Sequence, residues 1–382
     1  MIYLDYASTT PVDPRVAQIM CEHLTRDGVY ANSASAHPLG RRAAQAITDA
    51  REQVAHLLHA EPHEIIFTSG ATEANNLAFK GLAEAYPQKR HIITCATEHT
   101  AVLGCCQALA ASGYDITYLP VDATGLIRLD HLIAAIKPDT LLISIMLVNN
   151  ETGVIQDLPA IAQIAKTHQI PLHTDASQAV GKIAIDVKQL PVDMLSLSAH
   201  KIYGPKGVGA LYVNRQLTLM PQLHGGAQEH GLRAGTLPTH QIVGMGAALA
   251  YAQNEMAAQQ AQVSQLAKIF QEALQALPQV TLNGTQQQHL ANIMNFTIVG
   301  VNNEALLYNC PELAFSTGSA CSSLDPKPSH VLKAMGLSVT QINSSVRISL
   351  GRDTTLMDIE HALELLSKQI KQLRNTSPLW KN

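Results

Sequence analysis

No excess of one charge sign marks this sequence: 26 Lys and Arg stand against 30 Asp and Glu, a formal net charge of -4. Polyanion binding calls for a basic excess or a basic stripe, so nucleic acid is not expected as a direct ligand. There is no run of about 18 apolar residues, and the opening MIYLDYASTTPVDP lacks both a basic n-region and a long apolar stretch. Neither a membrane span nor a secretory leader is expected, and a cytoplasmic protein follows. Six cysteines, Cys21, Cys95, Cys105, Cys106, Cys310 and Cys321, form no C-x-x-C pair and no regular framework. A metal site or disulfide scaffold is therefore not indicated, and most of these thiols are expected to be buried. Internal repeats and low-complexity tracts are also missing.

What is present is aliphatic. Apolar residues make up 46% of the chain but aromatics only 4%, a bias that suits α/β layering. The 382 residues exceed the size at which one hydrophobic core usually stops growing, so a second, smaller unit is expected. From about 60 to 212, short apolar runs (EIIFTS, HIITCA, DITYLP, TLLISIMLV, IPLHTDA, MLSLSA, GALYV) alternate with helical stretches such as NNLAFKGLAEAY and LPAIAQIAKTH. That pattern predicts a mostly parallel sheet with helices on both faces. A long Ala/Gln-rich helix over 239–277 would connect to a C-terminal α+β unit, with strands NIMNFTI and SVRISL and helices SHVLKAMGL and LMDIEHALELLSKQIKQLRN.

The polar motifs TSGATE, TEHT, NNETG, HTDASQ and SAHK each fall at the C-terminal end of a predicted strand, the edge where open α/β sheets bind ligands. In FTSGATEANN a strand runs through a tight turn into a helix with Ala71 and Thr72 at its start, either an anion cradle or an ordinary capped helix. Asp175 follows a buried strand and needs a partner there, a pyridinium nitrogen, or else a structural salt bridge or a helix N-cap role. Gln178, about one turn on, could donate to a phenolate oxygen of the same ring. Ser198, His200 and Lys201 follow another apolar strand before Gly and Pro return the chain to the sheet. A desolvated Lys201 would be a nucleophile for aldehydes, whereas Lys206, in the turn G-P-K-G, reads as solvated. His99 is either a packed capping residue or, beside a flat cofactor, a stacking and proton-transferring group. Cys321 sits in STGSACSSLDPKPS, whose Gly, Ser and Pro content disfavours regular structure.

Eleven ordered blocks, from YLDYASTTPVDPRV through NSASAHPLGRRA, EIIFTSGATEANNLAFKG, SAHKIYGPKGVGALYV and HGGAQEHGLRAGTLPTHQIVGMG to STGSACSS and SSVRISLGR, resemble the cysteine desulfurases of the IscS/NifS type. The resemblance implies the fold of the pyridoxal-phosphate-dependent transferases (aspartate aminotransferase-like, fold type I), with a large domain over 14–255 and a small one from 1–13 and 256–382 that carries Cys321. It implies pyridoxal 5'-phosphate on Lys201, with Asp175 at the ring nitrogen, Gln178 at the ring hydroxyl and His99 stacked on the ring. The phosphate would be held by Ala71, Thr72, Ser198 and His200, and by Thr236 from the second subunit of a homodimer. Asn150 and Arg347 would orient the carboxylate of L-cysteine, and Cys321 would take the sulfur as a persulfide, leaving alanine.

The sequence departs from the family's commonest pattern at Ala199, Ala227, His230 and Ala234, all beside retained functional groups. The chain stops at Lys381-Asn382, where housekeeping members carry a further tail that docks the iron–sulfur scaffold. The sulfur acceptor is accordingly expected to be either such a scaffold or a tRNA or cofactor thiolation carrier. A selenocysteine lyase and a non-catalytic sulfur-carrier platform are the rival readings. Cys321 in its full acceptor motif disfavours the first, and Lys201, Asp175, His99 and Cys321 together disfavour the second.

Overall fold

A computed structural model describes residues 1–317, 328–377 and 380. In chain order it forms β1 (Ile2–Tyr3), α1 (Pro14–Cys21), α2 (Pro38–Leu58), β2 (Ile65–Thr68), α3 (Ala71–Ala85), β3 (His91–Cys95), α4 (Thr100–Ala111), β4 (Asp115–Leu119) and α5 (Leu129–Ala135). Then come β5 (Thr140–Ser144), α6 (Leu158–Thr167), β6 (Leu172–Asp175), β7 (Met194–Ser198), β8 (Gly209–Val213) and the long α7 (Thr239–Gln275). The remainder supplies β9 (Val280–Leu282), β10 (Ile293–Ile298), α8 (Asn303–Asn309), β11 (Leu313–Ala314), α9 (His330–Ala334), α10 (Val339–Ile342), β12 (Ser345–Ser349) and α11 (Leu356–Thr376).

Seven strands make one sheet in the order β2-β8-β7-β6-β5-β3-β4. Neighbours run parallel except at β8, which is antiparallel to both β2 and β7. Period-two alternation divides the strand residues between two cores. Ile65, Phe67, Ile93 and Leu195 enter one, while Ile66, Ile92, Leu142 and Met194 enter the other. Helices cover both faces, so every strand but β4 is buried along its length. β4 closes the edge with Asp115 and Tyr118 exposed.

A third core gathers Leu4, Phe270, Phe296, Ile348 and Ile359 around the antiparallel strands β9, β10 and β12. Helix α7 belongs to two cores: Ile242 to Leu249 pack under the large sheet, and Val263 to Leu274 under the small one. Ala7, Leu290 and Ile293 also pack in the first core, beside the large sheet. β1 pairs in parallel with β11, which fixes the first residues to the C-terminal unit.

Some predicted elements are shorter in the structure. The run over 140–148 is regular strand only to Ser144, although the Ile145 and Leu147 N–H groups still donate to the His173 and Asp175 carbonyls. Between them the Met146 N–H donates to the buried Glu98 carboxyl instead, at 2.7 Å. The helix expected over 329–337 spans only His330–Ala334. Cys95, Cys105, Cys106 and Cys310 are buried and Cys21 is exposed, while Cys321 lies outside the described residues. Burial pushes the Cys95 thiol up to about 12 and the Cys105 and Cys310 thiols up to about 11. No helix among the described residues is long and apolar enough to cross a membrane.

Candidate active site

The strand ends converge on a cavity of about 790 Å³. Ala71, Thr72, His99, Asn150, Asp175, Gln178, Ser198, His200, Lys201 and Arg347 all line it. Two predicted residues are not among them. Thr236 is exposed in the loop before α7, and Cys321 lies outside the described residues. Lys206, read as solvated, is exposed at the cavity's margin.

At one end β2 passes through Ser69 and Gly70 into α3. Gly70 has φ 152°, a conformation that favours glycine, and no side chain caps the helix. The neighbouring strand leaves no room here: a Cβ on Gly209 would stand 2.7 Å from the Gly70 Cα. The first N–H groups of α3 therefore face the cavity end with the helix dipole behind them, an arrangement suited to an anion. Glu73 takes the Ser69 N–H at 2.8 Å and pairs with Arg233 at 2.9 Å, tying this turn to the loop that carries Thr236. His200 bonds Thr9 Oγ1 through Nδ1 at 3.1 Å. Burial, with Lys201, Lys206 and Lys182 nearby, pushes its imidazole down to about 4, so it is neutral at pH 7.

Lys201 closes a single 3-10 turn after β7. Its Nζ donates to the carbonyls of Ala7 at 2.6 Å and Ser8 at 2.7 Å, so the N-terminal segment forms the floor beneath it. Asp175 ends β6, 5% exposed. Its Oδ1 accepts from Ser177 N–H (3.0 Å) and Oγ (2.6 Å), and its Oδ2 from Asn75 Nδ2 (3.0 Å). No Lys or Arg pairs with it among the described residues, so a structural ion pair is not the reason for this carboxylate. His99 caps α4: its Nδ1 accepts the Ala101 N–H at 3.2 Å, which places the proton of the neutral ring on Nε2. Burial first, then Lys201 and His330, lower its pKa against an opposing pull from Asp175. Gln178 donates to the Ala7 carbonyl at 2.8 Å.

At the other end Arg347, 2% exposed on β12, donates to the Asn150 carbonyl (3.0 Å), Asp5 Oδ1 (2.7 Å) and Ser8 Oγ (2.6 Å), and its buried Nε has no partner among the described residues. Both flanks of the undescribed segment 318–327 are fastened here. Ser316 exchanges two backbone hydrogen bonds with Arg347, at 2.7 and 3.1 Å. On the other flank Ser329 donates to Glu151 Oε2 at 2.5 Å, and His330 Nε2 donates to the Glu98 carbonyl oxygen at 2.9 Å. Burial raises the Glu151 carboxyl, opposed by Ser329, His330 and Arg347.

Sequence reasoning passed over Asn75, Ser177, Asp5, Ser8, Glu151, Lys182 and His330. Asn75 had a readable signal, four residues after Ala71 and so on the same helix face. Asp5 and Ser8 had none, because their role depends on contacts 342 and 339 residues away.

The sequence model of the family "Aminotransferase class-V" matches residues 2–362. The chain is 49% identical to cysteine desulfurase IscS of Tolumonas auensis over 99% of its own length and 95% of the relative's. It is 50% identical to cysteine desulfurase IscS of Pectobacterium atrosepticum over the same shares. Among solved structures, a NifS-like protein superposes with a TM-score of 0.91 at 34% identity, covering 97% of this chain and 99% of that one. SspA in complex with cysteine gives 0.82 at 41% identity, covering 93% and 100%. A fold-type I sheet carrying this cavity, and identity of this extent along nearly the whole chain, place the protein in the class-V aminotransferase family, in the branch that holds these cysteine desulfurases.

Proposed function

We propose that the cavity removes sulfur from L-cysteine with pyridoxal 5'-phosphate, giving L-alanine and a persulfide on Cys321. The observation that carries this reading is Lys201, at the cavity floor, lying in the same cavity as a buried Asp175 with no cation paired to it among the described residues and an uncapped helix start. These groups fit the cofactor. The α3 N–H groups at Ala71 and Thr72, with Ser198 and His200, suit its phosphate; Asp175 suits its ring nitrogen; Gln178 suits its ring oxygen; and Lys201 suits its aldehyde. When bound, the cofactor supplies an electron sink for the carbon from which a proton is removed.

The chain's own residues do the rest. Arg347 presents a planar fork to the substrate carboxylate beside Asn150. Lys201 takes the α-proton, and His99, kept neutral by burial, passes protons at Nε2. The Cys321 thiolate then attacks the substrate sulfur. A sulfur–sulfur bond forms, the substrate carbon–sulfur bond breaks with its electron pair returning to the carbon skeleton, and protonation there yields alanine. Cysteine and one enzyme thiol thus become alanine and one enzyme persulfide. The four buried thiols whose pKa values burial raises are poorly suited to this attack. A cytoplasmic homodimer, with Thr236 of the second copy completing the phosphate site and an iron–sulfur scaffold or thiolation carrier receiving the sulfur, belongs to the same reading.

The test is the absorption spectrum of the purified protein, followed by alanine and sulfide release from L-cysteine for the wild type, Lys201→Ala and Cys321→Ala. A yellow, active wild type with both variants inactive is expected. A colourless wild type that stays inactive after added pyridoxal phosphate sinks the reading.

A further inference from the structure

Lys182 lies four residues beyond Gln178, on a turn, and is partly buried. No carboxylate pairs with Lys182 among the described residues. Its Nζ donates instead to the neutral Gln178 Oε1 at 3.0 Å. Gln178 is itself 3% exposed, and its Nε2 donates to the Ala7 carbonyl at 2.8 Å. That same carbonyl accepts Lys201 Nζ at 2.6 Å. A continuous chain of hydrogen bonds therefore runs from Lys182 through the Gln178 amide to the oxygen that holds Lys201.

The direction of that chain is fixed by donor count. An ammonium has only N–H groups to offer, so the amide oxygen must face Lys182 and the amide nitrogen must face the cavity floor. One amide N–H is used by Ala7 and a second remains. Remove Lys182, and Oε1 becomes a buried acceptor with nothing to accept from, a cost that favours swinging or flipping the amide out of register. Partial burial, and Lys201 close by, bring the Lys182 ammonium down to about 7.

We infer that Lys182 is a positioning residue of this site: it locks the Gln178 amide so that its N–H edge, rather than its oxygen, is presented beside Lys201 to the oxygen of a bound aromatic cofactor. The inference rests on the reading that the cavity takes pyridoxal phosphate, and goes beyond it by giving a role to a residue that does not line that cavity.

The experiment uses full-length protein loaded with pyridoxal phosphate, comparing the wild type with Lys182→Met, Lys182→Gln, Gln178→Leu and the Lys182→Met/Gln178→Leu double variant. The readouts are the visible absorption maximum of the Lys201-bound cofactor, the equilibrium affinity for pyridoxal phosphate, and the circular dichroism of each apoprotein. K182M and Q178L should move the absorption band in the same direction and weaken affinity by roughly tenfold each, the effect of one lost buried hydrogen bond. The double variant should be no worse than Q178L, because the two residues act through one amide. K182Q, which keeps an N–H donor, should recover part of both losses, and it carries the test should K182M fail to fold. Unshifted absorption and affinity in K182M overturn the inference, as do losses in K182Q as large as those of Q178L, or single losses that multiply in the double variant. A wild type that binds no cofactor while keeping its fold overturns the reading of the cavity itself, and this role with it.

Discussion

The Asn75 amide donates to Asp175 Oδ2 across the first turns of α3, at 3.0 Å, and its own Oδ1 is buried without a partner. A helix whose uncapped start would suit an anion thus also sets the angle of the carboxylate that ends β6. The two ends of a flat ligand would be referenced to one rigid element. Asn75→Ala should leave the fold intact but lower pyridoxal phosphate affinity by roughly tenfold, the usual cost of one hydrogen bond to a charged group. Equilibrium dialysis against pyridoxal phosphate measures it, and unchanged affinity would remove Asn75 from the site.

Arg347 spans the Asn150 carbonyl, Asp5 and Ser8 with one guanidinium. Lysine presents a single ammonium and cannot satisfy three acceptors in that fixed plane. Arg347→Lys should raise the KM for L-cysteine at least about tenfold with a smaller change in kcat. Asp5→Ala should instead destabilise the protein by about 3 kcal/mol, since it leaves a buried charge without its counter-ion. Chemical denaturation of D5A and steady-state kinetics of R347K separate the two effects.

His173 and His200 both have imidazoles lowered to about 4, chiefly by burial. Below the ordinary histidine value of about 6.5 the unfolded chain takes up protons that the folded chain does not. Stability should therefore be fully present above pH 6.5 and fall as the pH drops toward 4. His173, held between Ser144 and Ser196 hydroxyls, should carry the larger share. Urea titrations of the apoprotein at pH 7.5, 6 and 5 test this, and His173→Asn should flatten the slope.

Glu98 has the opposite sign. Its carboxyl is raised well above the ordinary range by burial, with Asp175 adding to the effect and the Met146 N–H opposing it. Unfolding releases its proton, so its contribution is present below about 4.5 and is lost as pH rises toward the folded value. Glu98→Gln, which keeps the acceptor for Met146, should stabilise the protein more at pH 8 than at pH 4.5. An equal effect at both pH values would mean that Glu98 is ionised in the folded chain.

The layered fold was legible because its strands are short aliphatic runs between amphipathic helices, and each polar motif stood where such a strand must end. Ten predicted residues meet in one cavity for that reason. The antiparallel entry of β8 was hinted at by the Gly and Pro that turn the chain back after Lys201, but its insertion between β2 and β7 depends on pairings that no local pattern encodes. Lys182 stands just beyond the quoted HTDASQ motif and passed unremarked, since a lysine on a turn reads as solvated until the packing around it is known. Asp5 and Ser8 were beyond reach altogether, lying in a segment whose local sequence says only that it is extended.

That segment has a consequence for the protein's synthesis. Asp5, Ala7 and Ser8 leave the ribosome well before the groups they hold, Lys201 and Arg347, the last of them 342 residues behind Asp5. The sheet can gather while translation continues, but the floor of the cavity cannot close until β12 has emerged. A nascent chain must therefore extend through β12 before any complete site exists, and residues 5–8 must wait for the strand they will meet.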